Sequence, residues 1–189
     1  MIAMDTQAAQ TKNQVWEWAK AILLAVLIFF ILRLFIASPS VVSGYSMEPR
    51  LYTGERVMVN KLLYQFAEPK RGEIIVFQSK KGPDHIKRVI ALPGEKVRVE
   101  GDQVYINGKL FDEPYLKEAV EQAKKAGTSY NFINFEEQTV PDNTLFVMGD
   151  NRSKSRDSRD PSEGFVEFDA IVGRAELVFW PLNDIELIK

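Results

Sequence analysis

Hydrophobic and polar residues follow two different patterns along this chain, and the change comes near Ser38. From Ala21 to Leu32 every residue is apolar (AILLAVLIFFIL); Arg33 interrupts and LFIA follows. From Trp16 to Ala37 no continuous polar face develops. The pattern predicts a helix of roughly 33 Å at about 1.5 Å per residue, enough to cross a hydrocarbon core. Trp16, Trp18 and Lys20 suit one interface, and Arg33 can reach the other along its methylene stem. Two further readings fit parts of the pattern: a cleavable leader ending near IASPS, and a helix buried in the core. Length and flanks favour a retained anchor over 16–37 behind a polar tail over 1–15. Lysines and arginines on its two sides do not set its orientation.

After Ser38 the period shortens. RVMV (56–59) alternates, EIIVF (73–77) predicts a strand covered on both faces, and HIKRVIAL (85–92) runs into a Pro93-Gly94 turn. EKVRVE (95–100) and VYINGKLF (104–111) predict a hairpin around GDQ and a second turn at Asn107-Gly108. TLFVMGDN (144–151) and AIVGRAELVFW (170–180) add strands. The fold class is therefore mostly β: an antiparallel coiled sheet domain over 38–189, behind one N-terminal transmembrane helix. EPYLKEAVEQAKKAG (113–127) departs from this texture. Its helix formers, its Lys117–Glu121–Lys125 ladder and its closing glycine predict a short helical insertion on the surface.

Composition narrows the chemistry. At 189 residues, 46% hydrophobic and 26% charged, the chain suits one folded domain with an appendage. A net charge of −2 leaves no basic excess for nucleic acid. The absence of cysteine removes disulfides, a thiolate nucleophile and Cys-based zinc sites. The single histidine, His85, excludes a histidine metal cluster and permits a Ser-His-Asp arrangement only through itself. Nothing in the chain calls for a cofactor.

Three stretches carry candidate chemistry. In SGYSMEP (43–49), Gly44 and Pro49 constrain the turn around Ser46. Taken alone, such a serine is usually a turn cap. In HIKRVIALPG (85–94), Lys87 interrupts an apolar strand; if the strand buries it, lost hydration favours the neutral amine that a general base requires. A solvated lysine beside Arg88 is the competing reading. No evident orienter marks His85 as a base. In MGDNRSKSRDSRDP (148–161), charges of both signs alternate, as a solvated loop or as a scaffold for a neighbouring catalytic group.

In this order behind an apolar N-terminal segment, SGYSMEP, RGEIIVF, IKRVIALPGE and GDNRSKSRDSR resemble the bacterial type I signal peptidases. The resemblance runs from the anchor to about Trp180 and is nearest the compact Gram-positive form. It implies a membrane-bound serine endopeptidase that uses a Ser-Lys dyad, Ser46 as nucleophile and Lys87 as general base. By position, Ser155 hydrogen-bonds near the lysine, Asp157 pairs with Arg159 and Arg88, and Asp150 supports the same region. The substrate groove maps to Val42, Met47, Leu51, His85 and Ile86. The oxyanion site maps to the Ser46 N–H and Gly44, where some members carry a hydroxyl. Arg50 replaces a common threonine, and His85 a larger aromatic.

The implied partners are signal peptides of exported preproteins, cut after a small-x-small pattern, together with membrane lipid and, by proximity, the secretion machinery. The implied location is the cell membrane, single-pass, with the catalytic domain on the extracytoplasmic side. A catalytically silent, membrane-tethered homologue acting as a binding module is the alternative; Ser46 and Lys87 speak against it. A self-cleaving repressor-type protease shares the Ser-Lys idea but is soluble and carries a DNA-binding domain.

Overall fold

A computed structural model describes residues 14, 16–30, 37–80 and 82–188, in which the chain divides into two compact units, Met1–Ser38 and Pro39–Lys189. In the first unit residues 16–30 form a helix, α1, whose described side chains are all exposed. Lys20 and Glu17 pair on its surface at 2.6 Å. No helix among the described residues is long and apolar enough to cross a membrane. The expected span over 16–37 is partly outside the description, since residues 31–36 are not described. Its far end needs correction: Ala37 begins strand β1 (Ala37–Val41). The polar tail over 1–15 lies almost wholly outside the described residues.

The second unit is built from two antiparallel sheets. The larger has eight strands, ordered β1, β2 (Arg56–Asn60), β11 (Ile171–Trp180), β3 (Ile74–Phe77), β4 (His85–Ala91), β9 (Thr144–Met148) and β10 (Val166–Glu167), with β12 (Glu186–Leu187) also on β11. The smaller has four, ordered β7 (Lys109–Phe111), β6 (Gln103–Ile106), β5 (Lys96–Glu100) and β8 (Phe135–Thr139). Every β3 residue is buried, as a strand between β11 and β4 requires of a continuous apolar run. β5 alternates, with Val97 and Val99 inward and Lys96 and Glu100 exposed. Register shifts in β11 against both β2 and β3 bend the long strand and curl the large sheet.

Apolar residues gather in separate clusters. One holds Val42, Met47, Leu51, Val57, Val59, Ile74 and Val76. A second joins the two sheets through Ile90, Val97, Val99, Phe146 and Met148. A third lies around Ile75, Phe77, Val89 and Val147. The 113–127 stretch contains a short helix, α3 (Lys117–Lys125), behind one 3-10 turn (Pro114–Leu116). Leu116 alone of its apolar stripe is fully buried; Val120 and Ala123 are half-covered. Sequence reasoning did not anticipate β1, β8, β10, β12 or α2 (Leu63–Phe66), all short or polar enough to carry no clear period.

Candidate active site

The loop between β1 and β2 carries Ser46. The Val42 N–H donates to Glu55 O at 2.8 Å, and the Gly54 N–H to Val42 O at 3.0 Å, so the loop closes on itself. Gly44 sits at φ +89°, a region that disfavours side chains. Its carbonyl accepts the Thr53 hydroxyl at 2.6 Å. Arg50 and Leu51 N–H groups both donate to Met47 O at 2.9 Å, a tight turn that rolls Met47 and Leu51 into the first cluster. Ser46 is thereby held half-buried by a turn whose neighbours are core residues. Its own carbonyl accepts the Asn151 N–H at 3.0 Å, clamping it to the segment after β9.

Lys87 reaches the same point from β4. Lys87 pairs with Ile75 across β3 and is 3% exposed. Its Nζ lies 2.8 Å from Ser46 Oγ and donates to Ile86 O at 2.8 Å. Burial strips water from the ammonium and pulls its pKa from 10.5 down to about 8. The carboxylates of Asp157, Glu163 and Asp150 resist that fall and Arg156 assists it, but desolvation is the largest influence.

Successive residues on β4 project to opposite faces, so Lys87 and Arg88 meet different surroundings. Arg88 lies opposite Met148 at the end of β9 and forks onto Asp150, Nε to Oδ1 at 2.9 Å and Nη2 to Oδ2 at 2.7 Å. It also donates to Gly72 O at 2.8 Å, and its guanidinium stacks 4.0 Å from the Tyr115 ring centre. The expectation that Asp157 pairs with Arg88 is therefore corrected: Asp150 takes that arginine. Asp157 does pair with Arg159, Nε to Oδ1 at 2.8 Å and Nη2 to Oδ2 at 2.7 Å, with both side chains fully buried. It also accepts the Gly149 N–H at 2.9 Å. Burial raises the Asp157 pKa, but the Arg159 bonds outweigh it and hold the carboxyl below its usual range.

Ser155 needs a second correction. It is buried, yet its Oγ has no hydrogen-bond partner, neither Lys87 nor any other described group. It lies close enough to Asp157 to favour that carboxylate's charged form, but no bond of good geometry joins them. Lys87 instead spends its donors on Ser46 and the Ile86 carbonyl. What Ser155 meets is Gly149: a Cβ there would lie 2.3 Å from Ser155 Oγ and 2.4 Å from Ser46 O. Only glycine fits where β9 passes behind the serine. Sequence reasoning missed Gly149; the signal was a glycine directly after an apolar strand.

A groove of about 590 Å³ opens in front of Ser46 and Lys87. Val42, His85 and Ile86, which the resemblance assigned to the substrate, line it together with Gly44. Met47 and Leu51 do not; they are 1% and 0% exposed and belong to the core, so their assignment to the substrate surface is corrected. The turn that presents Ser46 turns them inward. Val41, Tyr45, Val57, Val76, Lys154 and Arg156 also line the groove and were not anticipated. A carboxylate reaches His85 from far along the chain: Glu163 Oε1 is 3.6 Å from His85 Nδ1. Burial, and then the positive charge of Lys87, lower the His85 pKa. Ser46 Oγ bonds Lys87 and not this ring. Arg50 ties the loop to β12 through Glu186 and through Leu187 O at 2.9 Å.

Comparison with known proteins gives one consistent picture. Residues 15–180 match the family model described as signal peptidase, peptidase S26. The chain is 42% identical to signal peptidase I S of Bacillus subtilis, over 96% of this chain and 98% of that protein. Signal peptidase IB of Staphylococcus aureus is 36% identical, over 93% of this chain and 94% of that protein. Among solved structures, a signal peptidase I from Enterococcus faecalis superposes with a TM-score of 0.51 at 38% identity, covering 57% of this chain and 97% of that chain.

Proposed function

The chain belongs to the signal peptidase family, peptidase S26, as a serine endopeptidase, and on that premise we propose that it removes signal peptides from exported preproteins by a Ser46–Lys87 dyad. The observation that carries the dyad is the 2.8 Å separation of Lys87 Nζ and Ser46 Oγ, on a lysine that is 3% exposed. With the amine neutral, the same contact runs in the productive sense and the Ser46 O–H donates to the Nζ lone pair.

The sequence of steps follows from that contact. Lys87 takes the Ser46 proton as Oγ attacks the scissile carbonyl carbon, and the carbonyl oxygen becomes an oxyanion. The Ser46 backbone N–H, which makes no hydrogen bond among the described residues, is free to hold it; Gly44 offers no side-chain donor. The Lys87 ammonium then protonates the departing amine, leaving an acyl-enzyme. Lys87 next deprotonates a water that attacks the acyl carbonyl; the bond to Ser46 Oγ breaks, Oγ takes the proton back from Lys87, and the signal peptide leaves as a carboxylic acid. Asp150 with Arg88, and Asp157 with Arg159, hold β4 and the segment after β9 in register around the dyad. Val42, Ile86 and His85 line the groove beside the dyad, and in this reading it takes the small-x-small residues of the signal peptide. β1 ends the large sheet and offers an edge on which an extended substrate can pair.

The apolar N-terminal segment anchors this enzyme in the cell membrane, single-pass, with the catalytic domain on the extracytoplasmic side. There it meets membrane lipid and, by proximity, the secretion machinery. Support comes from the unbroken apolar run from Ala21 to Leu32 and from the exposure of the described α1 side chains. Alkaline extraction is expected to leave the full chain with the bilayer; release would remove the anchor from the reading.

Mass spectrometry of a preprotein incubated with the full chain in detergent tests the chemistry. The wild type is expected to cut once, after a small-x-small pattern, and Ser46→Ala and Lys87→Ala not at all. Full activity in either variant would sink the dyad.

A further inference from the structure

His85 and Glu163 form a polar couple beside the dyad that the mechanism above leaves unused. Glu163 is 4% exposed and accepts a hydrogen bond from the Ser79 hydroxyl at 3.3 Å. His85 Nδ1 and Arg156 Nε each lie 3.6 Å from its carboxylate. His85 Nδ1 is buried with no hydrogen-bond partner among the described residues. The imidazole is fixed on its other side by the Phe77 ring, edge to face at 5.8 Å.

A distance of 3.6 Å is too long for a hydrogen bond. It is short enough for the carboxylate to decide the tautomer, because a negative charge beside one ring nitrogen draws the proton to it. Glu163 faces Nδ1, so the proton of the neutral ring sits there. Nε2 is then left as a lone-pair acceptor on a residue that lines the groove. Lowering of the His85 pKa by burial and by Lys87 keeps the ring neutral. In a groove whose other walls near Lys87 include Val42, Val57, Val76 and Ile86, an acceptor at this place has one use for a small substrate side chain. It can take a hydrogen bond from a hydroxyl.

We propose that His85, positioned by Glu163, is a specificity determinant that favours serine over alanine at one of the two small positions of the signal peptide. The inference rests on the reading of this groove as the signal-peptide site.

The test compares matched synthetic signal peptides, with alanine or serine at each small position in turn. The readout is the ratio of kcat/KM for the serine and alanine peptides, in the wild type and in His85→Phe, His85→Gln and Glu163→Gln. Phenylalanine keeps a ring against Phe77 but carries no acceptor. Glutamine places an amide oxygen near the Nε2 position, so His85→Gln acts as the conservative rescue. At one position His85→Phe is expected to lower the serine-to-alanine ratio by roughly fivefold, the effect of one neutral hydrogen bond. His85→Gln should retain part of the preference. Glu163→Gln should lower the ratio because the tautomer is no longer held.

Ratios within about twofold of the wild type at both positions in His85→Phe overturn the proposal; this is the pattern if Nε2 accepts a backbone N–H, which both peptides share. A ratio lost in His85→Phe but kept in Glu163→Gln overturns the positioning role of Glu163. Cleavage of the alanine peptide by the wild type is read separately. Its absence would count against the peptidase reading itself.

Discussion

Replacement of Lys87 by methionine should make the protein inactive and, at neutral pH, more stable. The Lys87 ammonium ionises near pH 8 in the folded chain against 10.5 for a solvated lysine. At about 1.4 kcal/mol per tenfold change, its burial costs the fold about 3 kcal/mol while both states carry the proton. Below pH 8 folded and unfolded chains are both protonated and the whole cost is present. Between pH 8 and 10.5 the unfolded chain binds the extra proton, so wild-type stability rises with pH; above 10.5 the cost is gone.

Methionine fills a similar volume without charge and gives up the two Lys87 bonds, to Ser46 Oγ and Ile86 O. Those bonds are worth about 1 kcal/mol each. Lys87→Met should therefore be about 1 kcal/mol more stable than the wild type below pH 8. That advantage should move by about 3 kcal/mol toward the wild type by pH 10.5. Guanidinium unfolding of both full chains in detergent, followed by near-ultraviolet circular dichroism at pH 7, 9 and 10.5, measures the difference. Tyrosines and arginines common to both chains cancel in it. A difference that is constant with pH, or that moves the opposite way, refutes the idea that desolvation sets the state of this lysine.

The wild-type kcat/KM should rise about tenfold per pH unit up to about pH 8 and level off above it, as the neutral amine of Lys87 becomes populated; a profile flat from pH 6 to 9 would contradict a lysine base. Asp150→Ala removes the forked carboxylate from the Arg88 guanidinium, 2% exposed, and should cost about 3 kcal/mol in thermal or guanidinium melts, with activity falling in step. Gly149→Ala forces a methyl within 2.4 Å of the Ser46 carbonyl and should lower both melting temperature and kcat. A variant as active and as stable as the wild type would show that β9 can shift away from the serine.

Different parts of the site were legible in the chain to different degrees. Lys87 stood out because a cation within an apolar strand has to be explained, yet taken alone the pattern favoured a solvated lysine beside Arg88, and it is β4 that buries it. Ser46 did not stand out, since its turn looks like many others; its constraint comes from Met47 and Leu51 buried beneath it and from Asn151 behind it. Position along the chain misassigned those two apolar residues to the groove, because a tight turn reverses which side chains face outward. It also gave Asp157 to Arg88, where strand alternation gives Arg88 to Asp150 and leaves Asp157 to Arg159. Glu163 could not be found at all. Its partner His85 is distant in sequence and meets it only because β4 and the loop before β10 converge on the groove.

By itself, then, the sequence determined the composition of the chemistry and the class of fold. An apolar N-terminal run and alternating strands point to the fold class, no cysteine and one histidine exclude a thiolate and a histidine cluster, and Ser46 and Lys87 were marked only by the resemblance that SGYSMEP and IKRVIALPGE carry. Local pattern suffices there, since period and composition act over a few residues. The tertiary structure decided which carboxylate meets which arginine, that only glycine fits at 149, and that Glu163 faces the histidine. These are outcomes of strand order and register, which bring together residues far apart in the chain, and no local pattern records them.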